Sequence, residues 1–406
     1  MRIGIDCRTI LNPGYGEQAG VGHYTYYLVK NLLKVDKKNK YVLFFDSLVL
    51  KNVAQKLIEE NKNASVKFFP FHQYKHYLPF AYSHILVAAA IGKEKLDVYH
   101  APAFAFPLMY SGRTVVTIHD LAIFKHPEWF PNKFLGGQAF STKILIPQSL
   151  KRADKIIAVS KNTKKDIEKI FKIPREKIEV IYEGVEFRDF PQKSEEVCGI
   201  ENKICEVDLR VKYGLKDKYI LFLGTIEPRK NIISLVKAFY ELAKDSEDFK
   251  QKYQLAIAGA KGWKYEDVFA EIKRSILKLD KKETAKEIIK YLGYVPAKDK
   301  FSLMKHAACF IFPSLYEGFG LPVLEALSLG VPTITSLVSS LPEVAGEAAI
   351  LINPNKVSEI KSALRKVLED EDLRKKFSRA GIVQAKKFSW EKCAEETVKV
   401  YDSVVQ

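Results

Sequence analysis

The stretch that decides the fold runs Cys309-Phe-Ile-Phe312-Pro-Ser-Leu-Tyr-Glu317-Gly-Phe-Gly-Leu-Pro322-Val-Leu-Glu325-Ala-Leu-Ser-Leu-Gly330. Its first four residues are apolar and predict a buried strand, and Pro322 favours the first position of a helix. A glycine-rich turn between them holds Glu317, and a second acid, Glu325, follows eight positions later inside the helix. The segment is therefore predicted to be a strand, a turn and a helix with one acidic residue on each side of the helix start.

This turn has the features of an anion site. Gly318 and Gly320 remove side chains where a ligand must approach the backbone, and the free N–H groups of a helix start attract anions. The segment could hold a diphosphate, with Glu317 and Glu325 free to bind hydroxyl groups, a combination that suits a nucleotide-sugar. The alternative is a capped helix in which Glu325 serves the helix dipole and Glu317 is solvated.

Outward from this stretch, short apolar runs alternate with longer amphipathic segments, which is typical of parallel α/β architecture. Strands are predicted at 2–5, 41–45, 66–69, 98–100, 114–118, 155–159 and 178–181, and again at 219–223, 254–258, 289–292, 309–312, 332–335 and 349–351. Helices are predicted at 22–33, 79–92, 134–153, 161–171 and 390–404.

We therefore predict two Rossmann-like, doubly wound domains that face each other across a cleft, with ligands at the carboxyl ends of the strands. The predicted domains are 1–190 and 216–388, joined by a polar linker or insertion at 191–215, and a C-terminal helix, 389–406, packs back on the first domain.

The composition is that of a globular enzyme. A chain of 406 residues exceeds one hydrophobic core, and its 47% apolar and 28% charged residues are ordinary for a soluble enzyme. Five scattered cysteines form neither a disulfide framework nor a zinc motif, which favours the cytoplasm. The N-terminus reads as a strand rather than a signal peptide, and no apolar run is long enough to cross a membrane.

The net charge of +16 is uneven, because residues 1–190 hold 29 Lys and Arg against 18 Asp and Glu. Such a basic half could meet nucleic acid, an anionic membrane or a phosphorylated substrate, although solvated helix faces explain most lysines. No zinc-finger, RRM or arginine-rich motif supports nucleic acid. The aromatic segment 68–95 could rest on a membrane interface or shape an acceptor cleft, and a packed domain surface explains it equally well.

Two further motifs follow predicted strands. His119 closes strand 114–118 and could bind a sugar, although a lone histidine is more often structural. Arg229 and Lys230, after strand 219–223, suit a diphosphate, and Asn231 is a good N-cap for the next helix; a solvated basic turn is the alternative.

Two weaker signals complete the set. The glycine-rich loop 14–22 follows the first strand, but its spacing is not G-x-G-x-x-G, so it indicates a flexible loop over phosphates or an acceptor rather than a dinucleotide site. Val295 lies just after strand 289–292, where extended backbone can meet the edge of a base.

Together these segments resemble the retaining glycosyltransferases of family 4, which have the GT-B fold, and the resemblance covers nearly the whole chain. Its strongest element is the E-x7-E signature at Glu317 and Glu325. Supporting matches are Gly20-Val-Gly22, His119-Asp120, Ala153-Asp-Lys-Ile-Ile-Ala-Val-Ser160, Gly224-Thr-Ile-Glu-Pro-Arg-Lys-Asn231, Gly293-Tyr-Val295 and Leu341-Pro-Glu-Val-Ala-Gly346. The motifs around His119 and Lys230 look most like the mannosyltransferase branch that builds bacterial surface polysaccharides.

The resemblance implies an acceptor-binding N-terminal domain and a donor-binding C-terminal domain. Glu325 would bind ribose and Glu317 the donor sugar, while Arg229 and Lys230 would bind the diphosphate. The amides around Phe319, Gly320 and Leu321 would assist, His119 would face the sugar, Gly22 would lie near the phosphates, and Val295 would meet the base. Thr225 stands where many members carry an arginine, so Arg229 is expected to replace it.

The implied reaction is metal-independent transfer with retention, from a GDP- or UDP-sugar (GDP-mannose first) to a glycan or a polyprenyl-linked acceptor, with peripheral membrane association. A hydrolase could also use two carboxylates, but both would come from one loop and helix here. The same motifs are also compatible with an epimerase of nucleotide-sugars and with a non-catalytic sensor of them.

Overall fold

The computed structural model describes residues 1–10, 20–49, 51–59, 61–70, 80–131, 141–186, 204–279 and 288–406. Contacts divide the chain into two compact units. Unit 1 comprises Met1–Lys125, Asn132–Gly184 and Phe388–Gln406, and unit 2 comprises His126–Pro131 and Val185–Lys387. Each unit is built on one parallel sheet, which confirms the predicted α/β class.

The described residues of unit 1 form seven strands: β1 (Arg2–Asp6), β2 (Lys40–Asp46), β3 (Ala64–Phe69), β4 (Val98–Ala101), β5 (Thr114–Ile118), β6 (Lys155–Ala158) and β7 (Ile178–Val180). They pair in parallel in the order β3-β2-β1-β4-β5-β6-β7. Every residue of β5 is buried, because helices cover both faces of such a sheet. Strands buried on both faces read as continuous apolar runs, which is why the sequence predicted them.

The helices of unit 1 are Gly20–Val35, Lys51–Ile58, Phe80–Gly92, Ala122–Lys125, Ile146–Arg152, Lys161–Phe171 and Trp390–Val405. The helix predicted at 134–153 begins outside the described residues, and a short π-helical turn, Ser141–Leu145, leads into its α-helical part. The aromatic residues 71–79 also lie outside the described residues.

The C-terminal helix Trp390–Val405 is part of unit 1. Trp390 is buried and stacks on Tyr27, with 5.5 Å between the ring centres. Gly184 lies against the start of this helix, where a Cβ atom would come within 2.2 Å of the Trp390 nitrogen. Any larger residue than glycine at 184 would therefore push the helix away.

In the part of unit 2 that the structure describes there are six strands: β8 (Lys218–Leu223), β9 (Tyr253–Ala258), β10 (Ile289–Gly293), β11 (Cys309–Phe312), β12 (Thr333–Ser336) and β13 (Ile350–Ile352). They pair in parallel in the order β10-β9-β8-β11-β12-β13. The order of its strands repeats that of the first six strands of unit 1.

The helices of unit 2 are Ile204–Tyr213, Ile232–Asp245, Glu247–Lys252, Glu266–Leu279, Ala297–Lys305, Leu321–Ser328, Leu341–Ala345, Val357–Glu369 and Glu371–Ala385. Among the described residues, no helix of either unit is long and apolar enough to cross a membrane.

Two segments add detail to the predicted organisation. Within residues 191–215, predicted to be a linker or insertion, the structure has the helix Ile204–Tyr213, whose Lys212 and Tyr213 both donate to Asp299 at 2.6 Å. The segment His126–Pro131 is predicted to lie with residues 1–190 but belongs to unit 2. There Phe130 stacks on Trp263, and Lys264 donates to the carbonyl oxygen of Glu128 at 2.5 Å.

Candidate functional site

The candidate site lies at the carboxyl edge of the unit 2 sheet, where β8 and β11 are neighbours. The chain runs from β8 to β9 on one side and from β11 to β12 on the other. The loops after β8 and β11 meet at this edge, where Leu315 N donates to Arg229 O at 2.8 Å. The first loop carries Arg229 and Lys230, and the second carries Glu317. The fold thus joins side chains that are as many as 88 residues apart.

These side chains form a network of ion pairs. Lys230 Nζ lies 2.6 Å from Glu317 Oε1, and Arg229 Nη1 lies 3.3 Å from Glu317 Oε2. Arg229 Nη2 is also 2.8 Å from Glu227 Oε1. Lys230 Nζ lies 4.8 Å from the centre of the Phe312 ring, whose face attracts a cation. The expectation that Glu317 is free is therefore wrong, because both predicted phosphate ligands pair with it.

Burial and the neighbouring charges both shift the pKa values of Glu317 and Lys230. Glu317 and Lys230 are each 7% exposed. Burial raises the pKa of Glu317, but Arg229 and Lys230 outweigh it and hold that pKa below its usual value. Burial and the neighbouring Arg229 lower the pKa of Lys230, against the attraction of Glu317 and Glu227. Glu317 is therefore ionised at neutral pH, and Lys230 loses its proton at a lower pH than an exposed lysine.

Asn231 fixes the loop after β8. It occupies the predicted N-cap position of helix Ile232–Asp245, but its side chain makes no capping hydrogen bond there. Its backbone is left-handed, with φ 56°, and its amide donates to the carbonyl oxygens of Pro313 (3.2 Å) and Pro354 (2.6 Å). The interpretation as a side-chain cap is wrong, because the strained backbone turns the amide toward two other loops.

Two serines that no predicted motif includes hold the backbone of Glu317. The Ser339 hydroxyl accepts from Glu317 N at 3.1 Å and donates to Glu317 O at 2.5 Å. The Ser340 hydroxyl lies 3.0 Å from Glu317 O and 2.8 Å from Phe319 O. Ser339 has a left-handed φ of 61°. The only sequence signal for these serines is their place directly before Leu341-Pro-Glu-Val-Ala-Gly346.

The glycine turn ends at a helix start, as predicted. Gly320 has φ 116° and caps the helix Leu321–Ser328, in which Pro322 is the second rather than the first residue. A Cβ atom on residue 320 would lie 2.8 Å from a Leu341 methyl group. Phe319 is buried beside the turn. Only glycine fits at position 320, and the helix N-terminus lies next to Glu317.

Glu325 is also paired, contrary to the expectation that it is free. It is 3% exposed, and its Oε1 accepts from Lys300 Nζ at 2.5 Å. Its Oε2 is buried and has no hydrogen-bond partner among the described residues. Lys300, on helix Ala297–Lys305, was not predicted, since nothing in the sequence links it to a residue 25 positions away. One oxygen of Glu325 is thus fixed by Lys300, and the other is buried without a hydrogen-bond partner among the described residues.

Val295 lies at the same edge, between β10 and helix Ala297–Lys305, and is 8% exposed. The loops here pack very closely. Gly259 N donates to Gly293 O at 2.8 Å, and a Cβ atom on residue 259 would lie 1.9 Å from the Gly224 oxygen. The loop that carries Val295 therefore begins in contact with the loop after β9.

His119 lies at the carboxyl end of β5 in unit 1. Its Nε2 donates to the Pro102 carbonyl oxygen at 2.7 Å, and its Nδ1 lies 3.3 Å from Glu183 Oε1. The Tyr24 ring packs edge-on against it. Both ring nitrogens are therefore occupied within unit 1, so the predicted hydrogen bond to a sugar requires one of these contacts to open. Glu183 was not predicted.

Gly22 is buried in the helix Gly20–Val35 of unit 1. The rest of the glycine-rich loop, at 11–19, lies outside the described residues. The predicted role of Gly22 near phosphates stays a prediction.

Within the described ranges, no three His, Cys, Asp or Glu side chains are grouped as a metal site would require. The acidic run 369–372 lies at a helix junction, where Asp370 accepts from Leu373 N at 2.8 Å.

Two family profiles match the chain. "Glycosyl transferases group 1" matches residues 208–384, and "Glycosyltransferase Family 4" matches residues 19–188. Solved structures share the fold. The chain superposes on a glycosyltransferase from Rickettsia africae with a TM-score of 0.68 at 18% identity, covering 100% of this chain and 98% of that one. Anabaena HepE in complex with UDP and glucose gives a TM-score of 0.70 at 16% identity, covering 99% of this chain and 100% of that one.

Two relatives from Escherichia coli are similar in sequence. O-antigen chain mannosyltransferase B is 33% identical over 388 residues, which are 94% of this chain and 95% of the relative. The serotype-specific mannosyltransferase WbdA is 28% identical over 297 residues, 72% of this chain but only 34% of that protein. On the fold, the paired signature acids and this full-length similarity, the chain belongs to the family 4 glycosyltransferases of the GT-B fold.

Proposed function

We propose that this glycosyltransferase moves a hexose, with retention, from a nucleotide-sugar to a saccharide or a polyprenyl-linked saccharide during polysaccharide synthesis. The cluster at the switch point of unit 2 carries the proposal. There, Arg229 and Lys230 supply two cations for a diphosphate, and Glu317 supplies a carboxylate for sugar hydroxyl groups.

The donor contacts follow from the groups around this cluster. Arg229 binds the diphosphate through the paired N–H groups of its guanidinium, and Lys230 binds it as a single positive charge. The amides of Phe319, Gly320 and Leu321 add donors at the helix start. The unpaired Oε2 of Glu325 accepts from the ribose hydroxyls, because a buried carboxylate oxygen is costly without a partner. The backbone around Val295 meets the base.

The chemical step breaks the bond between the anomeric carbon and the β-phosphate oxygen. Negative charge grows on the leaving diphosphate, where Arg229 and Lys230 stabilise it, while the sugar becomes oxocarbenium-like. The acceptor oxygen bonds to the anomeric carbon on the same face, and the leaving phosphate oxygen takes its proton. We assign His119 to the sugar, once one of its ring nitrogens is released.

The donor sugar is proposed to be mannose, since both Escherichia coli relatives are named mannosyltransferases, and GDP-mannose is the first donor to test. UDP-sugars are the second choice, since the Anabaena structure contains UDP. The acceptor is proposed to lie at the cytoplasmic membrane face, where the basic residues of 1–190 would favour anionic lipid. Failure to bind anionic liposomes at low salt would argue against this location.

We also propose that the reaction needs no divalent metal, because Arg229 and Lys230, once released from Glu317, supply the charge that a metal would otherwise bring to the leaving group. Activity should survive EDTA. Loss in EDTA with recovery on adding Mg²⁺ or Mn²⁺ would contradict the proposal.

A nucleotide-release screen across GDP- and UDP-sugars, with and without an oligosaccharide acceptor, tests the function. The proposal expects release of one nucleoside diphosphate that depends on the acceptor. Free sugar at full rate without acceptor would identify a hydrolase, and a changed sugar still bound to its nucleotide would identify an epimerase. Nucleotide binding without any turnover would favour a sensor.

A further inference from the structure

We propose that Glu317 makes the enzyme discriminate between the intact donor and the nucleoside diphosphate product, by competing with the diphosphate for Arg229 and Lys230. The inference rests on the proposed function. It assigns Glu317 a role in product release in addition to its contact with the donor sugar.

The charges of the four side chains Glu227, Arg229, Lys230 and Glu317 already balance one another. Glu227 and Glu317 carry two negative charges, and Arg229 and Lys230 carry two positive ones. Glu317 places one oxygen on each cation, at 2.6 Å and 3.3 Å. A diphosphate bound at these cations therefore adds negative charge to a balanced cluster and must share or take the partners of Glu317.

Glu317 and the diphosphate compete for the two cations among buried side chains. Lys230 and Glu317 are each 7% exposed. A buried carboxylate that loses its cations is strongly destabilised unless other donors replace them. The backbone of Glu317 cannot retreat, because the hydroxyls of Ser339 and Ser340 hold its amide and carbonyl groups. Only the side chain can turn to new donors.

Donor and product differ in what they offer this side chain. The hydroxyl groups of the donor sugar can donate hydrogen bonds to the released carboxylate. The terminal phosphate of a nucleoside diphosphate presents acceptor oxygens instead. Hydrogen bonds from the donor sugar therefore replace the ion pairs that Glu317 loses. The product offers no such hydrogen bonds, so it binds more weakly and dissociates.

Glu325 provides a matched control. It is the other acid of the signature and is also buried, but its cation is Lys300. In the proposed site it binds ribose, which donor and product share. Its loss should weaken both ligands by the same factor.

The experiment is calorimetry on the full chain as wild type, Glu317→Gln and Glu325→Gln. The probes are GDP, GDP-mannose and the methyl ester of GDP, which has the donor's charge without its sugar hydroxyls; the UDP series replaces them if the screen selects uridine. Glu317→Gln should bind GDP about tenfold more tightly than wild type, since one opposing charge is removed, and should not gain affinity for GDP-mannose. Glu325→Gln should weaken both equally.

An affinity of Glu317→Gln for GDP equal to or below that of wild type would overturn the inference. If this variant does not fold, the wild type still tests the inference. The methyl ester of GDP should bind to wild type more weakly than GDP-mannose does. Equal binding of these two would also overturn it. Absence of binding of every nucleotide to wild type would instead remove the proposed function.

Discussion

The two units share a strand order but differ in the side chains that join their central strands. In unit 2, the loops after β8 and β11 bring a buried network of four charged side chains together. In unit 1, Asp6 at the end of β1 pairs with Arg8 and accepts from the Tyr99 hydroxyl of β4 at 3.0 Å, and a neutral network joins β4 to β5. His100 of β4 contacts Tyr401 at 2.6 Å and Thr117 of β5 at 2.8 Å, and burial lowers the pKa of His100 to about 3.

The difference shows that one strand order can carry very different side-chain networks at the ends of its central strands. A charged network with two adjacent cations suits a diphosphate, whose charge must be stabilised as it leaves. A neutral network of hydrogen bonds fixes elements without attracting phosphate. In unit 1, this network ties the C-terminal helix, through Tyr401, to the central strands.

The largest expected effect comes from Lys230→Ala. It removes a cation and leaves Glu317 buried with one partner fewer, so kcat/KM for the donor should fall by about 1000-fold. Steady-state kinetics measure the change. Lys237→Ala, an exposed lysine on the following helix, should behave as wild type. If Lys230→Ala lowered kcat/KM by less than about threefold, the charged network of unit 2 would have no functional role to distinguish it from the network of unit 1.

Lys300→Ala tests whether the fixed oxygen of Glu325 matters. Without Lys300, Glu325 is no longer oriented toward ribose, so KM for the donor should rise about tenfold with little change in kcat. Lys298→Ala, exposed on the same helix, is the matched control. An unchanged KM would show that Lys300 only stabilises the fold, and Lys300→Arg should recover part of the affinity.

Tyr401→Phe tests the neutral network of unit 1. The change leaves a buried ring nitrogen of His100 without its partner, which should cost about 1–2 kcal/mol in the free energy of unfolding, measured with urea. Asp402→Asn, exposed on the same helix, should leave stability unchanged. Affinity for GDP should be the same in both variants. A selective loss of GDP affinity in Tyr401→Phe would show that the two units are not chemically separate.

The smallest effect is on the pH profile. Lys230 is charged below its pKa and loses that charge as pH rises through it; because its pKa is lowered, GDP affinity should fall at a lower pH than for an ordinary lysine. In Lys230→Arg this alkaline decline should move upward, since arginine stays protonated. Calorimetry between neutral and alkaline pH measures it. Identical pH profiles of wild type and Lys230→Arg would mean that the titration of Lys230 does not cause the alkaline fall in GDP affinity.

The strands and their approximate limits could be predicted because parallel strands are buried on both faces and read as apolar runs. β5 and β11 lie at the predicted residues, whereas β12 starts one residue later, after Pro332. Glu317, Arg229 and Lys230 could be placed near each other because each follows a strand of one sheet.

Their pairing could not be predicted, because it depends on side-chain positions across 87 residues of chain. The same holds for Lys300 with Glu325 and for Ser339 with Glu317. The residue type of Asn231 predicts a cap, but its left-handed backbone, set by the packing of three loops, directs the amide elsewhere.

A crystal structure of the chain with GDP tests the central claim most directly. The account predicts diphosphate oxygens within hydrogen-bonding distance of Lys230 Nζ and the Arg229 guanidinium, and ribose hydroxyls on Glu325. A diphosphate bound away from β8 and β11, with the Lys230–Glu317 pair intact, would contradict it.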